Sequence, residues 1–389
     1  MPDADTYPME LAPTCYVCRS LGCKVVSFDH SVTSEAKLVA QRSALWLCEY
    51  CGHLFTTFDV DIRSYYATQY DATLMDDGLD EIVTTEGGEV TFRTDVDYGL
   101  FRRILGEQLD STTSVFEHGC GRGRILSRLK KDGVSNLSAS DVCEKYRAPL
   151  EAMIGPGRVT IGAPPAVRNM DVACSFFVLE HDELPVDALL YLHGVLKPGG
   201  LLYVVVPNYL TNLTDLACAD HVNHFSPRSL QRLVESCGFE VMVSDDQSTI
   251  GAVAVLARSV APPAHILVEA AEIIVEARQA SGEIVDHLAH LRRVVASLDR
   301  SRGVYLYGVG FNGALMSAYV KAARGEIAGV FDANPRKQGM VRLGHRVAPP
   351  EAATKVEHGS STLIICVNPR VSAHVAARFA PVFASVQVA

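Results

Sequence analysis

From about Thr91 to Arg258 the chain alternates short apolar runs with amphipathic stretches, the texture of a largely parallel sheet covered by helices. VFEHG (115–119) reads as a strand, ILSRLKK (125–131) as a helix, and LSASD (137–141) and DVACSFFVLE (171–180) as strands. VDALLYLHGVLK (186–197) reads as a helix, LLYVVVPN (201–208) as a strand and SLQRLVESCGFE (229–240) as a further helix, and VAVLAR (253–258) closes the sheet. AlaProPro at 261–263 breaks the pattern, and from His265 to about Arg302 apolar residues recur at helical spacing, which predicts one or two long connecting helices. A second α/β unit follows, with GVYLYG (303–308), IAGVFD (327–332) and TLIICV (362–367) as strands and FNGALMSAYVKAA (311–323) and SAHVAARFA (372–380) as helices. Each unit opens with a strand, a glycine-rich turn and a helix, the pattern of a distant internal repeat. The expected division is 1–75, 76–260 and 261–389.

A length of 389 residues suits two or three domains. With 48% hydrophobic and 21% charged residues, the chain lies far from the disordered class. The net charge of −10 repels phosphate backbones, so nucleic acid is not an expected partner. No run approaches the roughly 18 apolar residues of a membrane span. The first residues are acidic where a secretory signal is basic and then apolar. The expectation is a cytoplasmic protein without a membrane partner; oligomeric state leaves no mark on the pattern.

Eleven cysteines include two CxxC pairs, Cys15 with Cys18 and Cys48 with Cys51. In a reducing compartment such pairs hold metal more often than they form disulfides. Four thiolates would close one tetrahedral structural zinc site with no open position for chemistry, and Gly52 permits the tight turn after the second pair. The plainer alternative is four buried free thiols. Cys23 falls outside the spacing.

Glu117, Gly119, Gly121 and Gly123 alternate between the first core strand and its helix. Glycines let backbone approach a ligand, and an acid at the strand end can receive a charged amino group. Asp141 ends the next strand, where a carboxylate suits the two hydroxyls of a ribose. Downstream come Val178-Leu-Glu180-His181 and the Leu196-Lys-Pro-Gly-Gly200 turn. Taken alone, Glu180 and His181 read as residues that cap and pack the turn after the strand, and Lys197 as a solvated turn residue. After the LLYVVVPN strand, Asp220, His221 and His224 cluster beyond the sheet edge where open α/β folds bind ligands. An Asp–His pair there can move protons near neutral pH; the structural alternative has Asp220 capping a turn with both histidines packed beneath it.

These ordered elements resemble the class I S-adenosylmethionine-dependent methyltransferases. The resemblance implies that Glu117 to Gly123, Cys120 included, wraps the methionine part of the cofactor, that Asp141 binds its ribose, and that the strand end at Phe177 passes beneath the sulfonium. The third strand end lacks the acid or amide that often contacts adenine, which leaves backbone near Gly162 and Ala163. The whole order resembles the sugar C-methyltransferases of deoxysugar biosynthesis, with an N-terminal zinc-binding domain, a class I methyltransferase Rossmann-like core and a second, C-terminal Rossmann-like α/β domain.

That second resemblance implies a small-molecule substrate, a nucleotide-linked keto-deoxysugar, with His221 as base, Asp220 orienting it, and His224 or a tyrosine hydroxyl stabilising the enolate. Cys218, Ala219 and His224 depart from the family's residues. Tyr66 and Tyr70 sit in a segment from which family members place tyrosines in the active site; in their own right such aromatics pack between domains. The second glycine turn, with Gly308, Gly310 and Gly313 and with Asp332 ending the next strand, suits a dinucleotide. By resemblance this turn, with Asn312, Asp332 and Lys337, holds the nucleotide sugar. O- or N-methylation on the same scaffold is the alternative, and a zinc-ribbon protein with an NAD-binding redox domain is the alternative of another class.

Overall fold

The computed structural model describes residues 12–70, 82–86, 89–162, 167–260, 270–355, 360–367 and 369–389. Ala163 and the 261–269 connection, both named above, lie outside them. Strands β1 (Cys23–Ser27), β2 (Ser43–Leu47) and β3 (Leu54–Phe58) form an antiparallel N-terminal sheet, followed by helix α1 (Ile62–Thr68). Asp61 starts α1 by accepting the Ser64 N–H at 2.9 Å, an N-cap that satisfies one of the helix's free donors.

The central unit begins with α2 (Arg93–Leu105) and continues through β4 (Val115–His118), α3 (Arg124–Lys131), β5 (Leu137–Asp141), α4 (Arg147–Ile154), β6 (Val159–Ile161) and β7 (Met170–Phe176). It goes on through α5 (Pro185–Val195), β8 (Leu196–Pro207), β9 (Asn223–His224), α6 (Pro227–Ser236), β10 (Phe239–Asp245) and β11 (Ala252–Ser259). The sheet order is β6-β5-β4-β7-β8-β11-β10, parallel except that β11 runs against both neighbours. The order reverses at β4, so the crevice above β4 and β7 is the ligand position that an open α/β sheet offers. One apolar layer, including Phe101, Leu126 and Leu129, packs on one face, and another, including Leu189, Leu192 and Leu230, on the other.

Two expected elements differ. The 229–240 segment divides, because α6 stops at Ser236 and Gly238, at φ +91°, turns the chain into β10. The 171–180 strand ends at Phe176, and residues 179–181 form a 3₁₀ turn.

Helix α7 (Ala271–Ala296) is the long connector. Beyond it, β12 (Gly303–Tyr307), α8 (Phe311–Arg324), β13 (Gly329–Phe331), β14 (Ser361–Ile365), α9 (Pro369–Phe379) and β15 (Ser385–Val388) build a parallel sheet ordered β13-β12-β14-β15. A shared apolar cluster joins Leu45 and Leu54 of the N-terminal sheet, Ile284 and Leu288 of α7, and Leu306 and Ile364 of the last sheet.

β9 belongs to the central unit in sequence yet pairs with β3, Asn223 opposite Phe55 and His224 opposite Leu54. The loop carrying Asp220 and His221 is thereby stitched to the N-terminal sheet. No helix among the described residues is long and apolar enough to cross a membrane.

Candidate active site

The turn after β4 holds Gly119, Gly121 and Gly123 at φ +67°, +50° and +70°, a left-handed run that side-chain-bearing residues adopt only at a cost. A Cβ at Gly119 would stand 2.3 Å from Val178 Cγ2, and one at Gly123 2.5 Å from Leu150 Cδ2, whereas one at Gly121 would meet nothing within 4 Å. Gly119 and Gly123 serve packing, and Gly121 faces open space. Asp141 pins this turn, accepting the Gly121 N–H at 2.7 Å and the Cys143 N–H at 2.8 Å. Glu117 lies beneath it, 3% exposed, with Oε2 unpartnered. Burial pushes its carboxyl up to about 8, with Asp141 adding to the rise and the Leu126 N–H opposing it.

A buried carboxylate oxygen without a donor, under a turn open at Gly121, fits an ammonium-bearing ligand such as the methionine part of S-adenosylmethionine. Phe177, at the end of β7, holds φ +55°, and Arg93 lies over its ring at 5.2 Å. Such strain in a non-glycine residue concentrates at functional sites. Gly162 is exposed beyond β6, and the Arg63 guanidinium donates to its carbonyl.

The Asp–His arrangement differs from the one expected. His221 takes its carboxylate from Asp215, whose Oδ1 lies 2.5 Å from Nδ1, while Asp220 is engaged elsewhere. Asp220 accepts the Ser34 N–H and hydroxyl at 2.7 Å each, the Tyr66 hydroxyl at 2.6 Å and the Cys218 thiol at 3.3 Å. His224 is also not presented to a ligand: it is 1% exposed, with Nδ1 2.9 Å from Asp215 Oδ2 and Nε2 2.8 Å from Thr56 Oγ1. With both ring nitrogens occupied it fastens the loop to the N-terminal sheet, and it has no free donor for an enolate.

Asp215 and Ser34 are the residues that sequence reasoning missed, and His181, read there as capping and packing its turn, joins them. His181 packs its ring 4.8 Å from that of His221, and the Tyr66 hydroxyl lies 2.6 Å from His181 Nδ1. Tyr70 packs on Tyr66 with ring centroids 4.6 Å apart, so both tyrosines wall the cluster. Glu180 is 1% exposed, with Oε2 unpartnered and its carboxyl pushed up to about 8 by burial.

Burial pulls His181 down to about 4, with His221 helping. For His221 burial again opposes the charge, but Cys218 and Asp215 outweigh it and raise the imidazole well above its usual value. Asp215 carries that balance, since burial holds Cys218 as a neutral thiol. His221 is thus an oriented imidazole that titrates on the alkaline side of free histidine.

Cys15, Cys18, Cys48 and Cys51 converge with all four sulfurs within 4.8 Å of one another, Cys15 to Cys51 at 3.7 Å and Cys18 to Cys48 at 3.3 Å. Tetrahedral zinc, with Zn–S of about 2.3 Å, separates its sulfurs by about 3.8 Å, so the cluster is compatible with the ion. In the C-terminal unit, Asp332 accepts the Val309 N–H at 3.0 Å and the Asn334 N–H at 2.8 Å, the arrangement by which Asp141 pins its turn. Gly308 sits at φ +99°, a Cβ at Gly310 would meet nothing within 4 Å, and Asn312 Oδ1 and Arg336 Nη1 are buried without partners. Lys337 is partly buried in the same loop.

Residues 92–243 match a family described as a methyltransferase domain. No curated protein matches the chain. An S-adenosylmethionine-dependent methyltransferase from Mesorhizobium loti is similar at 15% identity over 42% of this chain and 99% of that one, with a TM-score of 0.36. The 1,6-didemethyltoxoflavin-N1-methyltransferase of Burkholderia thailandensis is similar at 20% identity over 43% and 79%, with a TM-score of 0.34. The Haloferax volcanii complex of the Trm112 methyltransferase activator with its methyltransferase gives 13% over 42% and 90%, with a TM-score of 0.37. Likeness at these scores adds nothing to the family match, which covers the sheet that carries Glu117, the glycine turn and Asp141. The enzyme is an S-adenosylmethionine-dependent methyltransferase with a class I Rossmann-like core.

Proposed function

We propose that the enzyme methylates carbon on a nucleotide-linked keto-deoxysugar by way of an enolate. The observation that carries this reading is the Asp215–His221 pair, 2.5 Å apart, in the segment that follows β8. A carbon next to a ketone is acidic enough for a positioned imidazole to deprotonate. His221 takes that proton at Nε2, while Asp215 fixes the tautomer and stabilises the imidazolium. S-adenosylmethionine, when bound, supplies a methyl group on a sulfonium.

In this reading Glu117, Gly119, Cys120 and Gly121 hold its methionine part, Asp141 its ribose, and Gly162 and Phe177 flank the rest. Tyr66 and Tyr70 exclude water, and Asp220 holds Tyr66 and Ser34 in place. Rate comes from placement and from charge stabilisation in a dry site. The C-terminal turn, with Gly308, Gly310, Asn312, Asp332 and Lys337, takes the nucleotide; the unpartnered Asn312 and Arg336 atoms support this. The four cysteines hold a structural Zn²⁺, closed to chemistry.

The test is a panel of nucleotide keto-deoxysugars with labelled methyl donor in deuterated water. Wild type is expected to exchange the proton beside the ketone and His221→Asn to lose exchange while still binding S-adenosylmethionine. Methyl transfer without exchange would assign O- or N-methylation instead.

A further inference from the structure

We propose that Glu180, His181 and His221 form a second metal site, which takes a divalent transition-metal ion such as Zn²⁺ or Co²⁺ and thereby switches off the base. One Glu180 oxygen and one ring nitrogen of each histidine lie within 4.8 Å of one another. The hydrogen bonds around this point occupy one nitrogen of each histidine and leave the other as a candidate ligand. His181 Nδ1 lies 2.9 Å from the Asp220 carbonyl, which only accepts, so Nδ1 carries the hydrogen and Nε2 the lone pair; that Nε2 stands 3.9 Å from Glu180 Oε1 and 3.3 Å from the Tyr66 hydroxyl. His221 Nδ1 faces the Asp215 carboxylate in the same way, which makes Nε2 its ligand atom once deprotonated, and the Cys218 thiol hydrogen-bonds to this imidazole.

Glu180 Oε2 is buried and unpartnered. The Cys218 thiol donates to Asp220 Oδ1 and the Tyr66 hydroxyl to Asp220 Oδ2, so neither is given to Glu180.

Two imidazoles and one carboxylate suit zinc, cobalt, nickel or iron, and not magnesium or calcium. Metal-binding histidines characteristically give their other nitrogen to a carboxylate or a backbone carbonyl, and here Asp215 and Asp220 provide one of each. Metal–nitrogen bonds of about 2.0–2.1 Å separate ligands by about 3.3 Å in a tetrahedron, so a modest side-chain rotation closes the site. The ion takes the lone pair with which His221 accepts a proton. This last clause rests on the reading of His221 as base; the metal site itself does not.

The experiment titrates Co²⁺ into the full chain after its four-cysteine cluster has been saturated with Zn²⁺. One further Co²⁺ is expected per chain, with visible d–d absorption and without the near-ultraviolet thiolate band that a cysteine site gives. Glu180→Gln and His181→Phe are each expected to weaken it at least about tenfold. Retained S-adenosylmethionine binding by these variants shows that they fold. Absence of d–d absorption, or full affinity in both folded variants, overturns the site. In wild type, proton exchange beside the ketone is expected to fall in proportion to Co²⁺ bound. Full exchange at saturating Co²⁺ overturns the switch and the assignment of His221 as base, and leaves the metal site standing.

Discussion

With Glu117 as the proposed seat of the amino group, S-adenosylmethionine binding is predicted to release a proton. Its carboxyl is pushed up to about 8 from the ordinary 4.5, burial being the main cause. At pH 7 a group of that pKa is about nine-tenths protonated. A bound ammonium group supplies the charge that burial withheld, so the carboxyl ionises and about one proton leaves per ligand. The same gap sets a pH dependence for the ligand-free fold. The folded acid holds its proton where the unfolded one has lost it, so stability from this group is fully present below pH 4.5 and is lost as pH rises toward 8. The gap of 3.5 pH units between these values converts to about 5 kcal/mol.

Titration calorimetry at pH 7 in buffers of different ionisation enthalpy reads the released proton directly. The expected slope is about 0.9 proton per ligand, falling to about half by pH 8. Glu117→Gln abolishes the slope and weakens affinity by about 10- to 100-fold, from the 1.5–3 kcal/mol of a hydrogen bond to a charged group. It also flattens the stability of the ligand-free protein between pH 4.5 and 8, apart from the contribution of Glu180. Glu180 stands near the same value but on the substrate side, so Glu180→Gln leaves the proton count unchanged. A count near zero in wild type, or an undiminished count in Glu117→Gln, refutes the placement of the amino group.

Three further outcomes follow from the geometry. Gly121→Val abolishes S-adenosylmethionine binding in calorimetry but costs the fold only about 1–2 kcal/mol of left-handed strain, whereas Gly119→Ala lowers the melting midpoint by driving its Cβ into Val178. In a histidine NMR titration Asp215→Asn shifts His221 down by one to two pH units, from about 1.5–3 kcal/mol of charged hydrogen bond, and Asp220→Asn shifts it less; the reverse order would restore Asp220 as the orienting group. Cys48→Ser loses zinc by metal analysis and abolishes proton exchange at the substrate carbon while S-adenosylmethionine binding survives.

The sheet was legible because buried parallel strands read as continuous apolar runs and their helices as amphipathic ones. β10 escaped because one polar-apolar rhythm runs from Ser229 to Glu240; the stop lay in Cys237-Gly238, a residue pair suited to end a helix. The glycine turn was legible for the opposite reason, since its conformation admits few residue types. The proposed proton-transfer pair was half legible. Histidine at a sheet edge drew attention to His221, but adjacency drew Asp220 with it. Asp215 reaches His221 only because the 3₁₀ turn at Leu213–Ala217 folds back over six positions, a separation that no helix or strand period marks. His181 arrives from the end of another strand and Ser34 from another sheet, contacts that only the fold creates.

The placement of β9 gives the N-terminal sheet its reason to be fused to this core. The segment from Asn208 to Ser226 is mostly irregular, and irregular backbone opens at low cost unless its polar groups are held. The N-terminal unit holds much of it: the Thr56 N–H donates to the Val222 carbonyl at 3.0 Å, His53 bonds Asn223 at 2.9 Å, Thr56 bonds His224, and Ser34 and Tyr66 bond Asp220. Asn223 in turn donates to the carbonyls of Leu179 and Asp182, which carries the restraint across to the turn bearing His181. The glycine turn is pinned from within its own sheet by Asp141. Removing the ion proposed for the four-cysteine cluster is therefore expected to loosen the loop bearing His221 and to spare the turn pinned by Asp141, which is why the Cys48→Ser variant is predicted to separate proton abstraction from cofactor binding.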